Sequence, residues 1–182
     1  VVFLAAAALA RGIAGMPADE NNAHVRNPSF HWILPAMTIS GVVSFIYEVL
    51  SARMLGQVLG GSTAAFASML SSFLLGIALG SALASRFAST RQAAARGFAL
   101  AQLGAGAFGY LAFRSVERLP DIAHAVGASP AAPAAGAAAA GIMLLPVTLC
   151  IGATFPFGVR LLARDADEAA GVSGRVYAWN TV

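Results

Sequence analysis

The chain alternates between long apolar runs and short polar segments that hold nearly all of its charged residues. An apolar helix of about 20 residues, rising 1.5 Å per residue, spans the roughly 30 Å hydrocarbon core of a bilayer. The pattern therefore predicts an all-α protein, a polytopic transmembrane bundle with about four complete spans and partial helices at both ends. The predicted spans lie at about residues 33–55, 63–84, 97–113 and 134–157, and a further helix begins near 176.

The segment before the first clear span has a different pattern. Residues 1–15 are apolar but short, which fits either the tail of an earlier helix or a signal-like segment. Residues 16–32 form a polar connection, so we separate 1–32 from a transmembrane bundle at 33–182. Because the chain starts with valine and stops at "YAWNTV", where another helix opens, we expect it to belong to a longer protein.

Composition argues against a water-soluble domain. Hydrophobic residues make up 58% of the 182 residues and charged residues 10%, whereas soluble domains contain about one-quarter charged residues. The lipid bilayer is therefore the first predicted partner. All eleven basic residues are arginine, but they form no basic patch, so we expect no nucleic-acid binding. Cys150 is the single cysteine, so an internal disulfide is excluded.

The distribution of arginine predicts which loops face the cytoplasm, because short loops rich in arginine stay on the cytoplasmic side. The connections 16–32, 85–96 and 158–175 share one side of the predicted topology. They carry Arg26, Arg86, Arg91, Arg96, Arg160, Arg164 and Arg175. The opposite connections carry only Arg114 and Arg118. The first set, which includes Arg86, Arg160 and Arg164, is therefore predicted to be cytoplasmic.

Two charges interrupt the first span, in "GVVSFIYEVLSARML" at residues 41–55. Glu48 is predicted about 10 Å before the outer end of the span, too deep for its side chain to reach water. Because a charge at this depth costs several kcal/mol, the carboxylate must bind a proton, pair with a cation or face a water-filled cavity. Arg53 lies about 140° around the helix from Glu48, so it is expected to extend toward the outer interface or to contact a neighbouring helix.

Glu48 therefore has two open interpretations. In the first, it binds a cationic solute or couples transport to a proton. In the second, it makes a buried interhelical hydrogen bond or ion pair that only fixes packing.

The second span carries small residues at regular spacing. Gly76, Gly80 and Ala84 recur every four residues, so they share one face of a helix. Such a face lets another helix backbone approach closely, and the pattern predicts helix packing without a ligand.

The fourth span carries Pro146 and Pro156 with Gly152 between them, which predicts a helix break. Each proline removes a backbone donor, and Thr148 and Thr154 are available to satisfy the freed carbonyls. The bend is expected either to line a transport cavity or to be a structural kink.

Motifs of soluble enzymes and of metal sites are not found in the sequence. His24, His31 and His124 are scattered through the connections without the spacing of metal ligands. There is no P-loop and no nucleophile elbow. We therefore assign no catalytic residue, metal or cofactor to these residues.

Four stretches together resemble a known family, the bacterial membrane-bound spermidine synthase-like proteins. The stretches are "ISGVVSFIYEVLSARMLG" (39–56), "SMLSSFLLGIALGSALASR" (68–86), "LPVTLCIGATFPFGVRLLAR" (145–164) and "GRVYAWNT" (174–181). They follow the family's order, and it is the combination that resembles the family, since each stretch alone is weak.

The resemblance implies a major-facilitator-like membrane bundle, in the bacterial cytoplasmic (inner) membrane, that precedes a soluble Rossmann-like enzyme domain. That domain would transfer an aminopropyl group from decarboxylated S-adenosylmethionine, its co-substrate, to putrescine. None of it lies within this sequence, so the soluble domain is a predicted partner. Tyr47, Glu48 and Arg53 lie in the first motif and become candidates for polyamine binding or proton coupling.

Three hypotheses for function remain open at the level of the sequence. The first is a membrane anchor for an aminopropyltransferase that also moves a polyamine or related cationic solute. The second is a stand-alone transporter of the major facilitator type. The third is a purely structural membrane anchor.

Overall fold

The computed structural model describes residues 32–59, 61–128, 132–163 and 166–181. Its helices are α1 (Ile33–Leu59), α2 (Thr63–Phe87), α3 (Arg91–Arg114), a 3₁₀ turn (Val116–Arg118), α4 (Leu119–Ala125), α5 (Pro133–Leu162) and α6 (Ala166–Thr181). The prediction of an all-α protein is confirmed for this part of the chain. The predictions for residues 1–31 and for Arg164 fall outside the described residues.

Local sequence explains where two of the long helices begin. The Ser62 hydroxyl accepts a hydrogen bond from the Ala65 backbone N–H at 3.1 Å, and Thr90 does the same for Ala93 at 3.1 Å. Each hydroxyl satisfies one of the donors that a helix leaves free in its first turn. The link between α2 and α3 is short, because α2 ends at Phe87 and α3 begins at Arg91.

Three helical segments are long and apolar enough to cross a membrane, namely Ile33–Gln57, Thr63–Phe87 and Ala134–Leu162. They correspond to the first, second and fourth predicted spans. The third predicted span, 97–113, lies within α3, which is not among the three. That helix is rich in glycine and carries Gln102 and an arginine at each end, so its hydropathy is lower.

Helix α6 corrects one predicted boundary. The segment 158–175 was expected to be a polar connection, with a helix starting near Val176. Instead, α5 continues to Leu162 and α6 begins at Ala166. Val176 is completely buried, and Val172 packs against the same group of side chains. Tertiary packing therefore makes a helix from a segment whose polarity suggested a loop.

The predicted break in the fourth span is also corrected. Helix α5 is continuous over 30 residues, with Pro146 and Pro156 inside it. The Thr148 hydroxyl donates to the Leu144 carbonyl at 2.9 Å, and the Thr154 hydroxyl to the Ile151 carbonyl at 2.7 Å.

The carbonyls that face the two prolines belong to residues four positions earlier, Ile142 and Gly152. The hydrogen bonds of the two threonines therefore go to other carbonyls than the ones that the prolines free.

Helix α5 is the centre of the bundle. It packs most extensively against α2, then against α3, and also contacts α1 and α6. Two separate groups of buried side chains lie at its two ends. The first includes Ile33, Met37, Ala84, Phe98, Phe157, Leu161 and Val176, and the second includes Leu55, Ala65, Phe73, Leu119, Ala123 and Ala140.

These groups show that α1, α2, α3 and α5 run alternately up and down. The first group contains the start of α1 and α3 and the end of α2 and α5, and the second contains their other ends. We call the end with the first group the arginine-rich end, because Arg86, Arg91, Arg96, Arg160 and Arg175 lie there. The short helix α4 lies at the opposite end.

Candidate functional site

A very close helix contact joins α2 to α5. A Cβ atom added to Gly80 would overlap the backbone carbonyl of Leu149, and one added to Gly152 would overlap the carbonyl of Ile77. A Cβ atom on Gly76 would overlap the Thr148 side chain. We call this contact the glycine seam. The backbones are close enough that only glycine fits, which is the packing that small residues allow between membrane helices.

Ala84 continues the small-residue face of α2 and is 4% exposed, within the buried group of the arginine-rich end. Gly152, which was predicted at a helix break, instead forms the α5 side of the glycine seam. The structure thus brings together Gly76, Gly80 and Gly152. In the sequence analysis the first two belonged to a small-residue face and the third to a helix break.

Helix α1 has a polar side that faces the bundle. Ser40 and Ser51 are each 7% exposed, while Ser44, Tyr47 and Glu48 are half-buried. At 3.6 residues per turn these five residues lie within a sector of roughly 100°. Tyr47 and Ser51 lie one helical turn apart on this sector. We call this sector the polar face of α1.

The opposite side of α1 is apolar and exposed. Phe45 is 66% exposed, and the side also carries Val42, Val43, Ile46, Val49 and Leu50. This distribution is the reverse of a helix in a water-soluble protein, whose apolar side is buried. It fits a helix whose outer side contacts lipid or further membrane helices.

Glu48 lies at the edge of the polar face, and no ion pair or hydrogen bond of its carboxylate is found among the described residues. Arg53 is exposed on the other side of α1, so the structure does not bring the two charges together. The three serines that accompany Glu48 were missed as site candidates. Their signal was the spacing of polar residues at 40, 44, 47 and 51, which keeps one face of a helix.

Helix α1 is joined to α6 near the start of the polar face. The Thr38 hydroxyl donates to the Trp179 backbone carbonyl at 2.7 Å. A Cβ atom on Gly41 would overlap the backbone carbonyl of Asn180. The first and fourth motifs of the sequence therefore pack against each other, as the second and third do at the glycine seam.

An open cleft of about 650 Å³ lies at the arginine-rich end. It is bounded by α2, α5 and α6, and its lining includes Ser81, Ser85, Pro156, Arg160 and Ser173. Arg160 donates to the Ser89 backbone carbonyl at 3.3 Å, which links α5 to the segment after α2. Arg86 follows the lining residue Ser85 in the sequence, but its side chain does not line the cleft.

Other polar groups lie apart from these regions. Gln102 is 6% exposed on α3, and its Nε2 has no hydrogen-bond partner in the described part of the chain. Cys150 packs against Gly104 across the contact of α3 with α5. Within the described ranges, no group of three or more His, Cys, Asp or Glu side chains is placed to hold a metal ion.

These observations define the class of the protein: the described residues are all helical, and three helical segments are long and apolar enough to span a bilayer, which indicates a membrane protein. Comparison of the chain with protein-family models, with curated proteins and with solved structures finds no match.

Proposed function

We propose that this chain is the membrane-embedded part of a spermidine synthase-like protein, and that the polar face of α1 forms part of a path for a polyamine. In this proposal the chain anchors a soluble aminopropyltransferase domain to the bacterial inner membrane. The bundle is multi-pass and major-facilitator-like, with α3 as a span in addition to the three candidate segments. The decarboxylated S-adenosylmethionine co-substrate belongs to the soluble domain and not to these residues.

The observation that carries the proposal is the orientation of α1. Serine hydroxyls also serve packing between membrane helices, whereas an inward carboxylate without an ion-pair partner calls for a further explanation. Here four hydroxyl-bearing residues and one carboxylate share that side: Ser40, Ser44, Tyr47, Ser51 and Glu48. Polar residues that face the interior of a membrane bundle mark solute and ion pathways.

Charge selects a cation as the solute. Glu48 is the only carboxylate within the three candidate membrane spans. No cation from the described residues neutralises it, so an ammonium group of the solute can do so. The serine and tyrosine hydroxyls supply further acceptors for ammonium N–H groups. A linear polyamine fits this arrangement because it presents several ammonium groups along an apolar chain.

The arrangement of arginine supports the orientation. Five arginines lie at the arginine-rich end of the described structure, and Arg53, Arg114 and Arg118 lie toward the other. This excess favours a cytoplasmic position for the arginine-rich end. A soluble enzyme domain that follows the bundle would draw its substrate from that side.

The proposal is tested with the intact protein reconstituted in phospholipid vesicles. Uptake of radiolabelled putrescine and spermidine is measured for the wild type, Glu48→Gln and Glu117→Gln. Glu117 is an exposed acid outside the candidate spans, so the third protein controls for the loss of one negative charge. We expect Glu48→Gln to lower uptake about tenfold or more, since a hydrogen bond to a charged group contributes roughly 1.5–3 kcal/mol.

Equal uptake by the wild type and Glu48→Gln, with both proteins folded, would remove the polyamine role of Glu48. Membranes that contain the intact protein are also assayed for spermidine synthesis from putrescine and decarboxylated S-adenosylmethionine. Synthesis supports the attached enzyme, whereas uptake without synthesis favours the stand-alone transporter.

A further inference from the structure

The cleft at the arginine-rich end has a chemistry different from that of the polar face of α1. Its described lining contains one cation, Arg160, and no carboxylate. Three serines on two other helices line it as well, Ser81 and Ser85 on α2 and Ser173 on α6. The described lining therefore carries one positive charge with hydroxyl groups around it.

One hydrogen bond orients the side chain of Arg160. Its guanidinium donates to the Ser89 carbonyl at 3.3 Å, which holds the side chain between α5 and the end of α2. A guanidinium carries five N–H donors in a planar fork, so a single bond to a carbonyl leaves it able to bind an anion as well.

The serine hydroxyls can add donors to this cation. In the structure Ser85 donates to the Ala82 carbonyl at 2.8 Å and Ser173 to the Ala169 carbonyl at 2.7 Å. Both bonds stay within one helix, whose carbonyls also accept from backbone N–H groups. Rotation about one side-chain bond is therefore enough to direct each hydroxyl toward a ligand.

The level of the cleft matches the surface of a bilayer. Ser85 and Arg160 each lie two residues before the end of a candidate membrane span, at Phe87 and Leu162. Phospholipid phosphates lie at that level, and basic pockets between membrane helices bind anionic headgroups. The remaining lining is mostly apolar and includes Phe155, Pro156 and Val159, which suits the carbon chain of a phosphate ester.

We propose that this cleft binds a single phosphate group, with Arg160 as its charged donor and the three serines as neutral donors. The group belongs to an anionic phospholipid or to free phosphate, which share this chemistry. The site is separate from the polar face of α1, so this inference does not depend on polyamine transport.

The lipid source is tested by native mass spectrometry of the intact protein in neutral detergent. Dioleoyl phosphatidylglycerol and dioleoyl phosphatidylcholine are titrated separately, because they differ in headgroup charge and share their acyl chains. Binding of one phosphatidylglycerol, about tenfold tighter than that of phosphatidylcholine, supports the lipid source. The free source is tested by calorimetric titration of inorganic phosphate into the lipid-free protein, where saturable heat with one site supports it.

Both titrations are repeated with Arg160→Gln and with Arg86→Gln. The two variants lose the same charge at the same end of the bundle, but only Arg160 lines the cleft. We expect Arg160→Gln to weaken binding at least about tenfold and Arg86→Gln to change it less than about twofold. A third variant, Ser85→Leu, fills the cleft from an exposed position without removing a charge and is expected to weaken binding severalfold.

Circular dichroism checks that every variant remains helical. If Arg160→Gln does not retain its helix content, Ser85→Leu alone tests the site. Equal losses in Arg160→Gln and Arg86→Gln would show a diffuse surface charge and overturn the proposal. So would unchanged binding in Ser85→Leu, or the absence of saturable binding of both ligands to the wild type.

Discussion

The glycine seam and the polar face of α1 differ in how their residues meet the rest of the bundle. At the seam, Gly76, Gly80 and Gly152 leave no room for a side chain, and at Gly80 and Gly152 backbone contacts backbone. On α1, larger polar side chains lie between the helix and its neighbours, and Glu48 has no partner among the described residues. The seam has the geometry of a contact that holds helices together. The polar face has the chemistry of a surface that binds a solute.

The comparison teaches that small and polar residues do different work in one membrane bundle. In a bilayer no hydrophobic effect drives helices together, so close packing of small residues must supply the attraction. Polar side chains on an inward face add little to that packing and are expensive to desolvate. Substitutions at the seam should therefore affect stability, and substitutions on the polar face should affect function.

The largest effect is expected from Gly80→Ala. The added methyl group meets the Leu149 backbone carbonyl, which cannot move away without shifting α5. We expect a loss of about 1–3 kcal/mol in the free energy of unfolding, as for overpacked cores. Titration of the protein in mild detergent with sodium dodecyl sulfate, followed by circular dichroism, measures it. Gly109→Ala is the control, since a Cβ atom there meets nothing within 4 Å.

Gly109→Ala should leave stability unchanged or raise it by up to about 1 kcal/mol, because alanine favours the helix. If both alanine variants unfold alike, the glycine seam is not a tight contact, and the distinction between the two regions loses its basis.

A smaller effect is expected from Thr38→Val, which removes the hydrogen bond from α1 to the Trp179 carbonyl. Interhelical hydrogen bonds in membrane proteins contribute about 1 kcal/mol or less. Thr181→Val is the matched control, because the Thr181 hydroxyl donates to the Tyr177 carbonyl of its own helix. Amide hydrogen exchange in α6 should accelerate in Thr38→Val more than in Thr181→Val, and the reverse order would contradict the role of Thr38 in attaching α6.

The smallest effect on stability is expected from Glu48→Gln. The carboxylate has no partner in the described structure, so its neutralisation removes no contact, and we expect a change below about 0.5 kcal/mol. The same detergent titration measures it. A loss of about 2 kcal/mol or more in the free energy of unfolding would instead assign Glu48 to a structural interhelical contact. The polar face would then be a packing contact, like the glycine seam.

Much of the fold was predictable from periodicity. The starts of α1, α2 and α5 follow from apolar runs, and the small-residue face of α2 follows from the spacing of Gly76, Gly80 and Ala84. Helix α5 is continuous through Pro146 and Pro156, so the break predicted there is not an interruption of the helix, and the expected bend stays a prediction. The polar segment before Val176 was assigned to a loop, because the burial of that residue depends on helices distant in sequence.

The candidate sites were less predictable. Glu48 stood out because a carboxylate in an apolar run is costly wherever the helix lies. The cleft around Arg160 could not be recognised from the sequence, because its lining comes from three helices. Ser81 and Ser173, for example, lie far apart along the chain. The role of Gly152 was likewise missed, since its contact is with the Ile77 carbonyl of another helix.

The sequence by itself determined the helical class, the membrane environment and the residues that share each helix face, because these depend on local periodicity and transfer free energy. Only the tertiary structure decided that Gly80 meets Leu149, that α1 turns its polar face inward, and that serines from α2 and α6 surround Arg160. Such pairings depend on how helices cross, and the crossing is set by the shapes of both surfaces at once.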